Sequence, residues 1–226
     1  MCLEQYVSML PDAQTVLNRS EAAFAAMRAL GSAAGLPDDL LYGNASHASM
    51  WHACSIIEHM RWCTALAQAC VQLPEFRDSP AAVWGDELVI AAIYHDIGKV
   101  VAPQLTSGGW KFHEHGPAGA EFLSQHSLVS PRIAEAISHH GAYRKQPYPA
   151  NIDVLVIYLD VCDELAKWSE LRFPPAGGEK QQRNRCANLD KAIAAGVPEN
   201  LVCQLKELSD CIADGIGLIC DERTEQ

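Results

Sequence analysis

An apolar run from Leu88 to Tyr94 ends directly on the pair His95-Asp96. A run of that character is buried in any compact fold, and it carries the ionisable pair inward with it. Burying an ionised carboxylate is costly unless a cation or strong donors meet it. The same oddity recurs at Asp160, the only charge between Val154 and Cys162. A local cap or salt bridge accounts for either aspartate alone. Two of them in buried-looking stretches imply a shared cation, and hence a fold that brings both segments to one point.

The rest of the chain reads as helix after helix, with no internal repeat and little that resembles a strand. Ser20 to Leu30 forms a short amphipathic helix with Ser20 as N-cap and Gly31 after its end. A long helix is expected from Ser46 to about Gln72, stopped by Pro74, and another from Asp78 to about Tyr94. Gly108-Gly109 marks a tight turn in a loop or small hairpin. Pro117 to His126 and Pro131 to His140 read as helices with proline at the first position. Asn151 to about Leu171 is a further long helix. Residues 173–185, FPPAGGEKQQRNR, read as a polar linker. Beyond it Leu201, Leu205, Leu208 and Ile212 recur at helical spacing, as in a terminal helix that packs on the domain or on a second copy in a homodimer. The expected organisation is one all-α domain, with a core over 46–172 and a helical extension over 186–226.

With 226 residues and 49% hydrophobic side chains, the chain is large and apolar enough for its own core. The apolar runs are too short to cross a bilayer, and the N-terminus carries Glu4 and Asp12 rather than a basic start and an apolar stretch, so a cytoplasmic protein is expected. None of the nine cysteines forms a CxxC pair, and Cys54, Cys63, Cys70, Cys162, Cys203 and Cys211 sit inside helical apolar patterns. Reduced packing thiols fit better than disulfides or a zinc finger. A formal net charge of −11 repels a polyanion, which argues against long nucleic acid as a partner. A small anionic substrate stays open, because bound metal would invert the local field.

Nine histidines are present, and their distribution matters more than their number. His59 lies on the face of its helix shared with Ile56, Trp62, Cys63 and Leu66, so it points inward; His52 shares that face as the runner-up. His115 stands just before a helix start. His139 and His140 end another helix, with Gly141 as the residue after it, where the negative end of the helix dipole favours a cation. For each of these residues a satisfied core or capping histidine is the structural alternative.

The ordered set of EHMRWCTALA, AAIYHDIGK, FHEHGPAGAEFL, ISHHGAY and IYLDVCDEL resembles the HD superfamily of metal-dependent phosphohydrolases, over roughly Ser46 to Trp168. The resemblance implies a helical bundle in which His59, His95, Asp96 and Asp160 hold one metal. It also implies that His115, His139 and His140 hold a second, with Asp96 bridging, and that Lys99 contacts the substrate phosphate. HHGAYRKQPYP lacks the DGxGYP continuation of the branch that hydrolyses cyclic dinucleotides. The surrounding texture is closer to HD modules of exoribonucleases and CRISPR nucleases.

Nitrogen and carboxylate ligands without thiolate suit Mn, Fe, Co, Ni or Zn, two ions in all. The expected activity is hydrolysis of a phosphomonoester or phosphodiester in a small molecule such as a nucleotide. Asp96 and Lys99 would act at the reacting centre, and Arg144 and Lys145, beside Tyr143, would form a substrate-binding rim. Trp110 and Phe112 are expected to pin their loop to the core. Two other functions use the same ligands: a di-iron oxygenase resembling myo-inositol oxygenase, and a regulatory module that binds metal without turnover.

Overall fold

The computed structural model describes residues 16–41, 54–107, 109–112, 114–144, 146–170 and 179–224, with 212–224 described by backbone alone. The expected positions 46–53 (His52 among them), Gly108, Lys145 and residues 173–178 of the linker lie outside the described residues. Among the described residues the fold is all-helical apart from one two-stranded hairpin, with helices α1 (Ser20–Ala33), α2 (Asp38–Leu41), α3 (Ile56–Cys70), α4 (Pro74–Arg77), α5 (Gly85–Tyr94), α6 (Ile97–Val101), α7 (His115–Gln125), α8 (Pro131–His139), α9 (Val154–Glu170), α10 (Glu179–Ala194) and α11 (Glu199–Thr224).

Local chemistry moves several boundaries from where the periodicity places them. The helix expected from Ser46 begins at Ile56, because Ser55 is extended and its hydroxyl accepts from the Glu58 N–H at 3.4 Å. The helix expected from Asp78 starts only at Gly85. Pro80 disfavours helical backbone at Ser79, and a 3₁₀ turn over Ala82–Trp84 leads into α5. Gly31 does not end α1; it lies buried inside it, where an added Cβ would sit 2.4 Å from Leu41 Cδ2. Glu179 to Arg185, read as the end of a linker, is instead the opening of α10. Most of its polar residues are exposed, but Arg185 is buried against Glu164 at 3.0 Å.

Gly109, of the expected Gly-Gly turn, does lie in a small hairpin. Strands β1 (Gln104–Thr106) and β2 (Gly109–Lys111) pair antiparallel, with Gly109 at φ +99, a conformation that glycine adopts without strain. Trp110 and Phe112 are half-buried against the core, as the pinning role requires.

α9 is the central element. It packs on α3, α5, α8, α10 and α11, and from Leu155 to Glu170 every residue but Trp168 is buried. Burying side chains such as Leu155, Ile157, Leu159 and Leu165 contributes about 1.5–3 kcal/mol each. α9 also carries Asp160, Asp163, Glu164, Lys167 and Glu170, all buried. The apolar part of α5 is buried throughout and lies between α3, α8 and α9.

Tight backbone contact sets the position of the remaining ligand-bearing segment. α6 packs on α7 so closely that a Cβ on Gly98 would lie 1.8 Å from the His115 carbonyl oxygen. Glu114, just before α7, takes the left-handed conformation at φ 55, which costs a non-glycine residue about 1–2 kcal/mol. Packing against α6 holds α7 in place in spite of that cost.

Candidate metal centre

Asp96 stands at the junction of α5 and α6, where the helix breaks and its side chain turns into the bundle. The carboxylate is buried, and each of its oxygens faces a different pair of histidines. Oδ2 lies 3.8 Å from His59 Nε2 and 3.5 Å from His95 Nε2. Oδ1 lies 3.2 Å from His115 Nε2 and 3.5 Å from His140 Nε2. Two groups of potential ligands follow, His59-His95-Asp96 and Asp96-His115-His140, with donor atoms in each within 4.8 Å of one another.

The protonation pattern fits cation binding. His95 Nδ1 donates to Ala92 O at 2.8 Å, His115 Nδ1 to Phe112 O at 2.9 Å, and His140 Nδ1 to Ile137 O at 2.6 Å. A carbonyl only accepts, so each Nδ1 carries the proton and each Nε2 presents a lone pair to the centre. The Nε2 atoms of His95 and His140 are buried without a hydrogen-bond partner among the described residues. Orphaned buried acceptors call for an explanation, and a cation supplies one. Burial pushes the His95 imidazole down to about 3, against the pull of Asp96 and Asp163, and burial also lowers His115. Both rings are held in the neutral form that binds metal.

Asp96 is ionised. Burial opposes its charge, but Lys99 first, then the neighbouring His95, His115 and His140, outweigh that and hold it well below the usual carboxylate range. Lys99 reaches inward, 2.6 Å from Asp96 Oδ2, and is buried rather than solvated at a helix end.

The family model for the HD domain matches residues 56–168. The chain belongs to the HD domain family. No curated protein and no solved structure matches it. The HD segment runs from the start of α3 to near the end of α9, and it contains every histidine and aspartate just described.

Two expected ligands of the HD pattern are placed elsewhere. Asp160 accepts from Gly141 N–H at 2.6 Å and from Tyr148 Oη at 2.8 Å, which braces the loop after α8 against α9. Burial raises its carboxyl to about 6, against the pull of Gly141, His140, Tyr148 and Arg144. The carboxylate beside His59 and His95 is Asp163, whose Oδ1 lies 3.0 Å and 3.8 Å from their Nε2 atoms. Four donors about 2.1 Å from a tetrahedral cation are about 3.4 Å apart. The distances from Asp96 Oδ2 and Asp163 Oδ1 to the His59 and His95 Nε2 atoms, between 3.0 and 3.8 Å, bracket that value. Sequence reading missed Asp163, although it is an acidic residue one helical turn from Asp160 in LDVCDEL.

His139 is the second displaced residue. Its half-buried ring lies 6.3 Å from that of Tyr143. Successive residues of a helix diverge by about 100°, and the chain turns inward only at His140, before Gly141 at φ +68.

Arg144 does not stand free as a rim. Its guanidinium lies 2.9 Å from Asp163 Oδ2 and 3.4 Å from Glu164 Oε1. Lys167 also pairs with Asp163 and Glu164. Burial opposes the Asp163 charge, but Lys167, His59 and Arg144 overcome it and keep the carboxyl well below its usual range.

The two sides of Asp96 differ in access. The His59, His95 and His140 side chains are at most 1% exposed, whereas His115 is 24% exposed. Among the described residues no helix is long and apolar enough to cross a membrane.

Proposed function

We propose that this HD domain is a metal-dependent phosphohydrolase that cleaves a phosphomonoester or phosphodiester in a small molecule such as a nucleotide. The observation that carries this reading is the Asp96 carboxylate, shared between two histidine pairs whose Nε2 lone pairs converge on it. His59, His95, Asp96 and Asp163 would hold one divalent ion, and Asp96, His115 and His140 a second. Bound there, two such ions would acidify a water and neutralise phosphoryl oxygens.

The chain's own residues do the rest. Nδ1–H donation to backbone carbonyls locks three rings so that no reorientation is needed on binding. Lys99 places a positive charge beside the bridging carboxylate, where it offsets negative charge that develops on a phosphoryl group. The partly exposed His115 marks the side from which substrate enters. Asp160 and Tyr148 hold the loop that carries His140. The acidic overall charge favours a small substrate over a nucleic-acid chain.

The test is to purify the protein without air, count its metals, and assay p-nitrophenyl phosphate and its bis-ester with and without Mn²⁺. Hydrolysis that depends on metal and is lost in His95→Ala supports the reading. A protein that carries two ions yet cleaves neither ester overturns it. Oxygen uptake by a di-iron form would then point to the oxygenase chemistry available to the same ligands, and metal without either activity to a regulatory module.

A further inference from the structure

Three of the four histidines at the centre are oriented by backbone carbonyls, and one is not. His59 Nδ1 faces Glu170 Oε1 at 2.8 Å, and both side chains are fully buried. Glu170 is the last residue of α9 and lies beyond the segment that matches the HD family. It stands two turns after Asp163, on the same face, so α9 grips the ring at both nitrogens: Asp163 at Nε2 and Glu170 at Nδ1. Cys54 supports the arrangement. Burial, then the charges of Glu170 and Glu58, keep its thiol protonated, and it hydrogen-bonds to Glu170.

A carbonyl acceptor sets the tautomer of a ring but adds no charge. A carboxylate on the far nitrogen sets the tautomer and also makes the near nitrogen a stronger base toward a cation. Charge-assisted hydrogen bonds are roughly twice as strong as neutral ones, and a buried site does not screen them.

We propose that Glu170 is a positioning residue, resting on the metal-centre reading above: it fixes His59 with Nδ1 protonated and Nε2 aimed at the ion, so that the His59-His95 side binds a divalent cation more tightly than the His115-His140 side.

The experiment is a Zn²⁺ titration of the whole chain against a chromophoric chelator, with Glu170→Gln and Glu170→Asp beside wild type. Gln keeps the shape and an acceptor but removes the charge. Wild type is expected to show two unequal sites. Glu170→Gln weakens the tighter one by about 10–100-fold and spares the other, and Glu170→Asp recovers part of the loss. Long-range ¹H–¹⁵N spectra of the imidazoles give a readout that general loosening would not reproduce. The His59 Nδ1–H proton is expected far downfield in wild type and moved upfield in Glu170→Gln, while those of His95 and His140 stay in place.

An unchanged tighter site with an unmoved His59 proton overturns the proposal. So does a wild-type protein whose His59 Nδ1–H is not downfield, which needs no variant to fold. The spectra need no added ion either. A wild type that takes up no Zn²⁺ would therefore remove the metal-centre reading, while the His59 proton still decides whether Glu170 positions the ring.

Discussion

The two sides of Asp96 use similar donors in unlike surroundings. On one side, His59 and His95 are sealed in the core, and α9 brings Asp163, Glu164, Lys167 and Glu170 around them. On the other, His115 and His140 are held by backbone carbonyls, and His115 reaches the surface. Buried charge makes the first side rigid and expensive to disturb, because an unpaired ion left in the interior costs about 3–5 kcal/mol. Backbone geometry makes the second side easier to open. A site that must hold a cofactor and also admit a substrate gains from such a division.

The largest effect is expected where the two sides meet. Asp96→Asn should take metal content from two ions to none and cut ester hydrolysis by at least about 10³-fold, read by elemental analysis and a phosphatase assay. Retention of either ion would mean that the sides do not share this carboxylate.

Removing one ligand from each side separates them. His95→Ala and His140→Ala should each lose one ion of the two, and the remaining ion should titrate differently in the two variants. Identical residual sites would break the comparison.

Gly98→Ala attacks the second side through its backbone. The new Cβ would overlap the His115 carbonyl oxygen and lie 2.8 Å from Gly119 N, contacts that no rotamer change relieves. A loss of about 3 kcal/mol is expected in chemical denaturation, with weakened binding on the His115 side and little change on the His59 side.

A pH series sharpens the contrast in protonation. With chelator present, His95 titrates near 3 in the folded chain, against about 6.5 when unfolded. Between those values the unfolded chain holds a proton that the folded chain lacks, so this contribution to stability is complete above about 6.5 and shrinks as pH falls toward 3. His115 shifts the same way, whereas hydrogen bonds to Asp163 and Glu170 outweigh burial and raise His59, which acts in the opposite sense. The comparison with His95→Gln isolates the one group. Wild type should lose about 1.4 kcal/mol per pH unit relative to the variant below pH 6, and parallel curves would contradict the assignment.

The smallest effect is expected for His139→Ala, which should leave both ions bound and change stability by no more than about 0.5 kcal/mol. Loss of an ion there would return His139 to the centre.

Much of this was legible in the residues. The apolar run into His95-Asp96, the inward face of His59 and the helix end at His140 are local patterns, and local patterns fix which side of a helix is buried. Helix starts were less legible, because Ser55 and Pro80 act through hydrogen bonding and backbone exclusion that periodicity does not register. The sequence reads Lys99 as a contact to the substrate phosphate and Arg144 as part of a substrate-binding rim. Only the folded chain shows Lys99 buried beside Asp96, and the exposed Arg144 paired with Asp163 and Glu164.

The sequence by itself determined an all-helical HD domain and delivered histidines and aspartates to its interior, because burial follows from periodicity and composition. It did not choose between Asp160 and Asp163, or between His139 and His140. Residues one helical turn apart face nearly the same way, and adjacent residues at a helix end diverge only as the following loop directs. The tertiary structure places Asp163 beside His59 and His140 beside Asp96, through the Gly141 and Tyr148 donors that hold Asp160 and the packing that sets α9 against α3 and α5. It alone also placed Glu170 behind His59, 111 residues away along the chain.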